Sequence, residues 1–201
     1  MFPDLTRDDI FQLETSRLWL RWPRAVDAAK MSQLAGDRDV AEMTARLPHP
    51  YSEADAGHFI LGARSGNAEG RELVLVLTPK NRPREVLGVI SLHKSTQEKL
   101  LLGFWLGKAH WGQGLMSEAT KAMLDLAFQI TPAQLIAAET LTTNVAAQKV
   151  LQHFGFALMG QFETNALARG KINCSRFHLT REDWTPNMAS QTVPTELSTA
   201  L

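Results

Sequence analysis

Leu102-Gly103-Phe104-Trp105-Leu106-Gly107-Lys108-Ala109-His110-Trp111-Gly112-Gln113-Gly114-Leu115-Met116-Ser117-Glu118-Ala119 is the stretch on which the fold turns. An apolar run leads into a short loop with glycines at 112 and 114, and apolar residues at helical spacing follow at once. Glycine takes positive φ and lets another atom approach the main chain closely. The first N–H groups of a helix lack intrahelical partners and sit at the positive end of its dipole, so such a turn suits a phosphate or pyrophosphate. A plain strand-to-helix turn has the same pattern. It is not a P-loop, because no Gly-Lys-Ser/Thr follows. A Rossmann fingerprint fits badly too, since G-x-G-x-x-G belongs after the first strand of a βαβ unit and this loop follows the fourth strand.

Working outward, Leu115, Ala119, Ala122/Met123, Leu126 and Ile130 spell an amphipathic helix. Upstream, Arg17 to Arg21 alternates as a short strand closed by Pro23, and Asp27 to Leu34 has helical spacing. Ser52 caps a helix through Ile60, with Asp55 completing a capping box. Glu72 to Leu77, Val86 to Leu92 and Leu100 to Leu106 are β-rich. Downstream come a strand at Leu135 to Leu141, a helix at Asn144 to Phe154, and strands at Phe156 to Phe162 and Ile172 to Leu179. The order predicts one α/β domain with a mixed sheet and helices on both faces. Residues 1–13 form an N-terminal extension, 14–184 the domain, and 185–201, rich in Thr, Ser and Pro, a flexible tail or an arm on another subunit.

The 201 residues suffice for one self-supporting core, and 44% apolar with 21% charged residues describes a globular chain. Lys+Arg and Asp+Glu both number 21, so no basic excess points to nucleic acid and no polybasic run to a membrane surface. The single cysteine, Cys174, reads as a packing residue in a reducing compartment and offers no metal framework. No signal peptide or membrane-spanning run is present, and the cytoplasm is the expected location.

The quoted stretch resembles the acetyl-CoA motif of GNAT acetyltransferases, and the wider chain resembles their RimJ/RimL branch of ribosomal-protein N-terminal acetyltransferases. The matching residues run in order. Arg17-Leu18-Trp19-Leu20-Arg21 with Asp27-Ala28 comes first, then Pro50-Tyr51-Ser52 with Asp55-Ala56 and Phe59-Ile60. Gly103 to Leu106 and Trp111 to Gly114 follow, then Asn144, Ala146, Val150-Leu151, Gly155-Phe156, Leu179-Thr180-Arg181 and Trp184. The resemblance implies the GNAT fold: a mostly antiparallel twisted sheet, bulged and splayed between its fourth and fifth strands so that the pantetheine arm inserts there.

It also implies a site. Phe104, Trp105 and Leu106 would pair with pantetheine, and the main chain of His110, Trp111, Gly112, Gln113, Gly114 and Leu115 would hold the pyrophosphate. Asn144 matches the family asparagine on the CoA arm, with a helix N-cap as its bland alternative. Lys149 is placed for a CoA phosphate or is a solvated surface lysine. Where relatives begin the loop with Gln or Arg, this chain has Ala109; where they carry an acidic Tyr or Ser, it has Gln152 and Ala147. For the base that takes the amine's proton, the candidates are Glu139, Glu118 and His110, and acceptor-pocket candidates are Asp39, Glu42, His49, Tyr51 and the strand around His93. The implied function is acetyl transfer from acetyl-CoA to a primary amine, on a protein N-terminus or a small molecule, with no metal. An aminoglycoside or polyamine acetyltransferase and a weakly catalytic CoA-binding sensor are the alternatives. Oligomeric state is open, a homodimer being common among relatives.

Overall fold

Strand patterning with a period of two builds the sheet and divides its faces. In β3 (Glu72–Pro79), Leu73, Leu75 and Leu77 face one layer of helices, while Val74 and Val76 face the other. The computed structural model describes residues 2–167 and 170–184. The remaining strands are β1 (Gln12–Glu14), β2 (Leu18–Arg21), β4 (Gly88–Lys94), β5 (Lys99–Leu106), β6 (Leu135–Leu141), β7 (Ala157–Ala166) and β8 (Gly170–Thr180). They form one sheet in the order β1-β2-β3-β4-β5-β6-β8-β7, antiparallel throughout except for β5 beside β6.

The helices are α1 (Ala28–Ala35), α2 (Arg38–Glu42), α3 (Glu53–Ala68), α4 (Leu115–Ile130) and α5 (Val145–His153). The parallel β5–β6 pair needs a crossover, and α4 supplies it, burying Ala119, Met123, Leu124 and Ala127 in the core with the leucines of β3. On the opposite face α1 and α3 pack Met31, Ala56, Ile60 and Ala63 onto Val74, Val76 and Val89. This is the mixed α/β sheet with helices on both faces expected from the sequence.

The parallel ladder joins only Lys99–Leu102 to Leu135–Ala138. Beyond it β5 continues to Leu106 and β6 to Leu141 without pairing, so the strands separate where the sequence resemblance placed the splay. The expected bulge is not what opens them, because the β4–β5 register runs in step from Lys94–Leu100 to Gly88–Leu106.

Some elements exceed expectation. The Ser52–Asp55 capping box is present, but α3 runs on from Ile60 to Ala68. Gly62 and Gly66 lower intrinsic helicity there, and packing overrides them: Asn67, 1% exposed, bonds both N–H and C=O of Val74. Residues 1–13, read as an extension, contain the first two residues of β1 and a core residue. Phe2 is 2% exposed and its N–H reaches Gly70 O, while Asp9 pairs with Arg64. A polar three-residue strand and an isolated phenylalanine carry too little pattern to be recognised alone. The 185–201 segment lies outside the described residues. Cys174 is buried and burial raises its thiol pKa, in keeping with a packing role.

Candidate active site

The glycine loop turns as the sequence suggests. Lys108–His110 form one turn of 3-10 helix after β5, then Gly112 and Gly114 adopt φ of 72° and 71°, in the left-handed region. A Cβ at Gly112 would meet nothing within 4 Å, so the loop faces open space. His110 N–H bonds Gly107 O, Trp111 N–H bonds Lys108 O, and the α4 ladder begins at Glu118 N–H to Gly114 O. Among the described residues no acceptor meets the N–H groups of Gly112, Gln113, Gly114, Leu115, Met116 or Ser117. An unbroken row of unpaired donors at the start of a sixteen-residue helix is an anion cradle.

A cavity of about 520 Å³ runs from this cradle to Phe104–Leu106, on the β5 side of the gap between β5 and β6, and is walled opposite by the segment from Thr143 that follows β6. Phe104, Trp105, Leu106, His110, Trp111, Gly112, Gly114, Leu115, Asn144 and Lys149 all line it; Gln113 does not. Gly107 N–H donates to Leu87 O and so fixes the phase of the β4–β5 ladder. By antiparallel alternation, Phe104 then turns its N–H and C=O, and Leu106 its N–H, toward the gap. Leu106 O is already taken by Trp111 Nε1 at 2.6 Å. An extended ligand with amide groups could therefore add to β5 as a strand would.

The acetyltransferase (GNAT) domain family matches residues 17–157. The chain belongs to that family. Its chemistry is acyl transfer. An N-acetyltransferase named p20 from Bacillus licheniformis, described as uncharacterized, is 26% identical over 162 residues, covering 80% of this chain and 90% of its own. The probable N-acetyltransferase YjcK of Bacillus subtilis (strain 168) is 31% identical over 88 residues, covering 42% of this chain and 49% of its own. Among solved structures, Mycobacterium smegmatis RimJ in complex with CoA-disulfide superposes with a TM-score of 0.78 at 19% identity, over 92% of each chain. The ribosomal L7/L12 α-N-protein acetyltransferase RimL, in complex with coenzyme A, gives 0.74 at 17% identity, over 85% of this chain and 98% of its own. At those identities the superpositions establish the GNAT fold.

Within this GNAT domain the candidate bases part company. Glu118 lies outside the cavity lining and its carboxylate is saturated. It accepts from Thr15 Oγ1 (2.6 Å), Ser16 Oγ (2.9 Å), Arg17 N–H (2.7 Å) and Arg17 Nε (2.6 Å). Burial alone would raise its pKa, but these donors outweigh burial and hold it at about 2. That value is too acidic for a base, and the residue acts as a fastener. Through it the Arg17 guanidinium is drawn beside the loop, where Nη1 donates to Gln113 O at 2.9 Å. Nη2 lies 3.6 Å from where a Cβ on Gly114 would stand.

The Glu118 carboxyl sits below its ordinary value of 4.5 in the folded state, so its stabilisation is complete above about 4.5 and is lost as pH falls toward 2. Glu118→Gln is therefore expected to be less stable than wild type in denaturant melts at pH 7, with the difference shrinking progressively below pH ~4.5. Equal stability at pH 7 would contradict the fastener role.

Glu139 is exposed on β6, paired with Arg176 across the β6–β8 ladder at 2.8 Å, and does not line the cavity. His110 does line it, and burial lowers its pKa, leaving the ring neutral near pH 7. It lies past the end of β5, however, and β5 itself runs roughly 10 Å from Gly103 to Leu106 at about 3.3 Å per residue beyond the point where the strands part. Asn144 takes the N-cap role, accepting from Ala147 N–H at 3.0 Å, while its Nδ2 donates to Met43 O at 2.9 Å, tying two cavity walls together. Lys149 is exposed, with no ion-pair partner among the described residues. Gln152 is exposed and outside the lining, whereas Ala147 lies on it.

Of the acceptor-pocket candidates, Tyr51 is buried under α1 and α3, Asp39 pairs with Lys108, and Glu42 pairs with Arg38 at 2.8 Å. None of Asp39, Glu42, His49 or Tyr51 lines the cavity. Sequence reasoning missed Val40, Met43, Thr44, Ser117 and Thr143 on its walls. Ser117 alone had a local signal, as a hydroxyl in the first turn of α4.

Proposed function

We propose that the protein transfers the acetyl group of acetyl-CoA to a primary amine by direct attack within a ternary complex, with an α-amine at a peptide N-terminus as the favoured acceptor. The row of unpaired N–H groups from Gly112 to Ser117 carries this reading, because it opens onto the gap beside Phe104. The residues present suit coenzyme A. Its pyrophosphate is dianionic and matches the cradle and the adjacent Arg17, and its pantetheine amides match the free edge of β5. Bound there, acetyl-CoA supplies the thioester.

The protein's part is to bind, orient and exclude water. The cradle fixes one end of the cofactor, and Phe104 and Leu106 can align the arm along β5. Main-chain N–H groups at the gap can hold the oxyanion that forms on attack. The acceptor would reach the thioester from the sheet face that carries α1–α3. There Leu167 N–H, at the β7–β8 turn, donates to Ala45 O at 3.1 Å, so the hairpin and the segment after α2 frame the opening together. Among the described residues no Asp or Glu lines the cavity, so the lining itself offers no carboxylate to a polycationic aminoglycoside or polyamine. The N-terminal acceptors named for the RimL structure fit the same preference.

The test is thiol release from acetyl-CoA with trialanine amide, spermidine and kanamycin, each product checked by mass spectrometry. Acetylation of the peptide α-amine in preference to the others is expected. Binding of acetyl-CoA with no product from any amine would favour a CoA-sensing module instead.

A further inference from the structure

We propose that Glu72, His93 and Ser91 form a proton relay serving the acceptor amine at this site, which rests on the acetyl-transfer reading above. The three residues come from adjacent strands and are aligned in sequence. Glu72 Oε2 lies 2.6 Å from His93 Nδ1, and His93 Nε2 lies 3.0 Å from Ser91 Oγ. The register explains the meeting: Glu72 is the Cα partner of His93 in the β3–β4 ladder, and Ser91 precedes His93 by two on the same face of β4. With Glu72 accepting the Nδ1 hydrogen, Nε2 is left as an acceptor, and the Ser91 hydroxyl can donate to it. This is the base–orienter arrangement by which a carboxylate fixes a histidine tautomer and stabilises the imidazolium.

The relay ends one strand in from the gap: Glu72, Ser91 and His93 lie outside the cavity lining, and Trp105 of β5 is the nearest lining residue on their face. Ser91 is the Cα partner of Gly103, the first β5 residue past the paired Leu102–Ala138, and its hydroxyl donates to Gly103 O at 3.3 Å, a longer contact than the 3.0 Å to His93 Nε2 toward which the same hydrogen can turn. Gly103 and Trp105 share with Ser91 the sheet face under α1–α3, and Trp105 already lines the cavity. A Cβ on Gly103 would come within 3.2 Å of Ser91 Oγ, so the absence of a side chain there leaves room beside the buried hydroxyl. At the other end, a Cβ on Gly66 of α3 would collide with the Glu72 carboxylate, so that glycine makes room for it. Ser91 is 8% exposed, and the side chains of Glu72 and His93 are 17% and 34% exposed. The network is thus shielded at Ser91 and open enough at His93 to return a proton to solvent. The groups facing the imidazole are Glu72 from β3 and Leu101 from β5, with Lys99 two residues along that face of β5.

The acceptor ammonium passes one proton to Ser91 Oγ as the Ser91 hydrogen passes to His93 Nε2, giving a free amine and an imidazolium held by Glu72. The amine lone pair forms the C–N bond at the thioester carbonyl, and the oxyanion collapses with loss of the C–S bond. The departing thiolate takes the second proton from the new ammonium nitrogen, giving amide and thiol. His93 then releases its proton to water, so one proton is liberated per turnover.

The test compares wild type with His93→Gln and Ser91→Ala by two readouts, calorimetric binding of acetyl-CoA and acetyl transfer to trialanine amide between pH 6 and 9. For both variants the acetyl-CoA dissociation constant is expected to stay within about twofold of wild type, which also reports an intact fold. Their kcat is expected to fall about 100-fold, the low end for loss of a general base, and His93→Gln is expected to lose the acidic inflection of the kcat–pH profile. If wild type transfers acetyl and the variants match it, the relay is wrong while the acetyl-transfer reading stands. Variants that lose acetyl-CoA affinity along with kcat would mark the network as structural and overturn the relay. If wild type binds acetyl-CoA but acetylates no peptide, the peptide-acceptor reading and the relay fall together.

Discussion

Gly114→Trp is expected to weaken acetyl-CoA binding by on the order of 1,000-fold, the loss of about two charge-assisted hydrogen bonds at ~1.5–3 kcal/mol each. Gly114 holds φ of 71° at the N-cap of α4 and lines the cavity. A tryptophan there would have to abandon the left-handed conformation or pay roughly 1–2 kcal/mol to keep it, and its ring would fill the space in front of the Gly112–Ser117 donors. The loop lies on the surface and Gly114 is exposed, so the body of the domain should survive. Calorimetry with acetyl-CoA, beside a thermal melt of each protein, separates the effects. Binding within tenfold of wild type by a folded variant would show that the cradle does not hold the cofactor.

The second large effect concerns stability. Arg21 and Asp27, with side chains 4% and 2% exposed, form a two-pronged pair at 2.8 and 2.9 Å at the junction of β2 and α1. Asp27 also accepts Arg24 N–H at 2.7 Å, and Arg21 donates to Trp22 O at 3.0 Å, so the pair fixes the chain as it leaves the sheet. Asp27→Ala strands a buried guanidinium and is expected to cost about 3–5 kcal/mol, lowering the melting temperature by roughly 10 °C for a domain of this size. Replacing both partners, Arg21→Met with Asp27→Leu, should recover much of that loss, because no unpaired charge remains. A single-variant loss below about 1 kcal/mol in urea melts would contradict this role.

Where a signal was local, the sequence could be read. The 112–118 turn, the α4 stripe, the Ser52–Asp55 box and the alternating strand at Leu18–Arg21 each depend on neighbours within a few residues, and all formed as expected. The splay was legible only through the family resemblance, and the ladder that stops at Leu102–Ala138 is its structural form. What the sequence hid were meetings across long separations. Glu118 looked like a base because it stands on the helix directly after the loop, yet the donors that fasten it come from Thr15, Ser16 and Arg17, more than a hundred residues earlier. Met43 joins the cavity wall through Asn144, 101 residues away. Glu72, Ser91 and His93 carry no common motif, and only strand register assembles them.

The central claim is that acetyl-CoA lies with its pyrophosphate on the α4 cradle and its thioester where β5 and β6 part. A crystal structure of the protein soaked with acetyl-CoA tests this most directly. The expected result is phosphate oxygens within hydrogen-bond distance of the N–H groups between Gly112 and Ser117, a pantetheine amide paired with Phe104, and the acetyl carbon beside Gly103 and Ser91. A cofactor bound elsewhere, or a cradle occupied only by solvent at saturating acetyl-CoA, would contradict it.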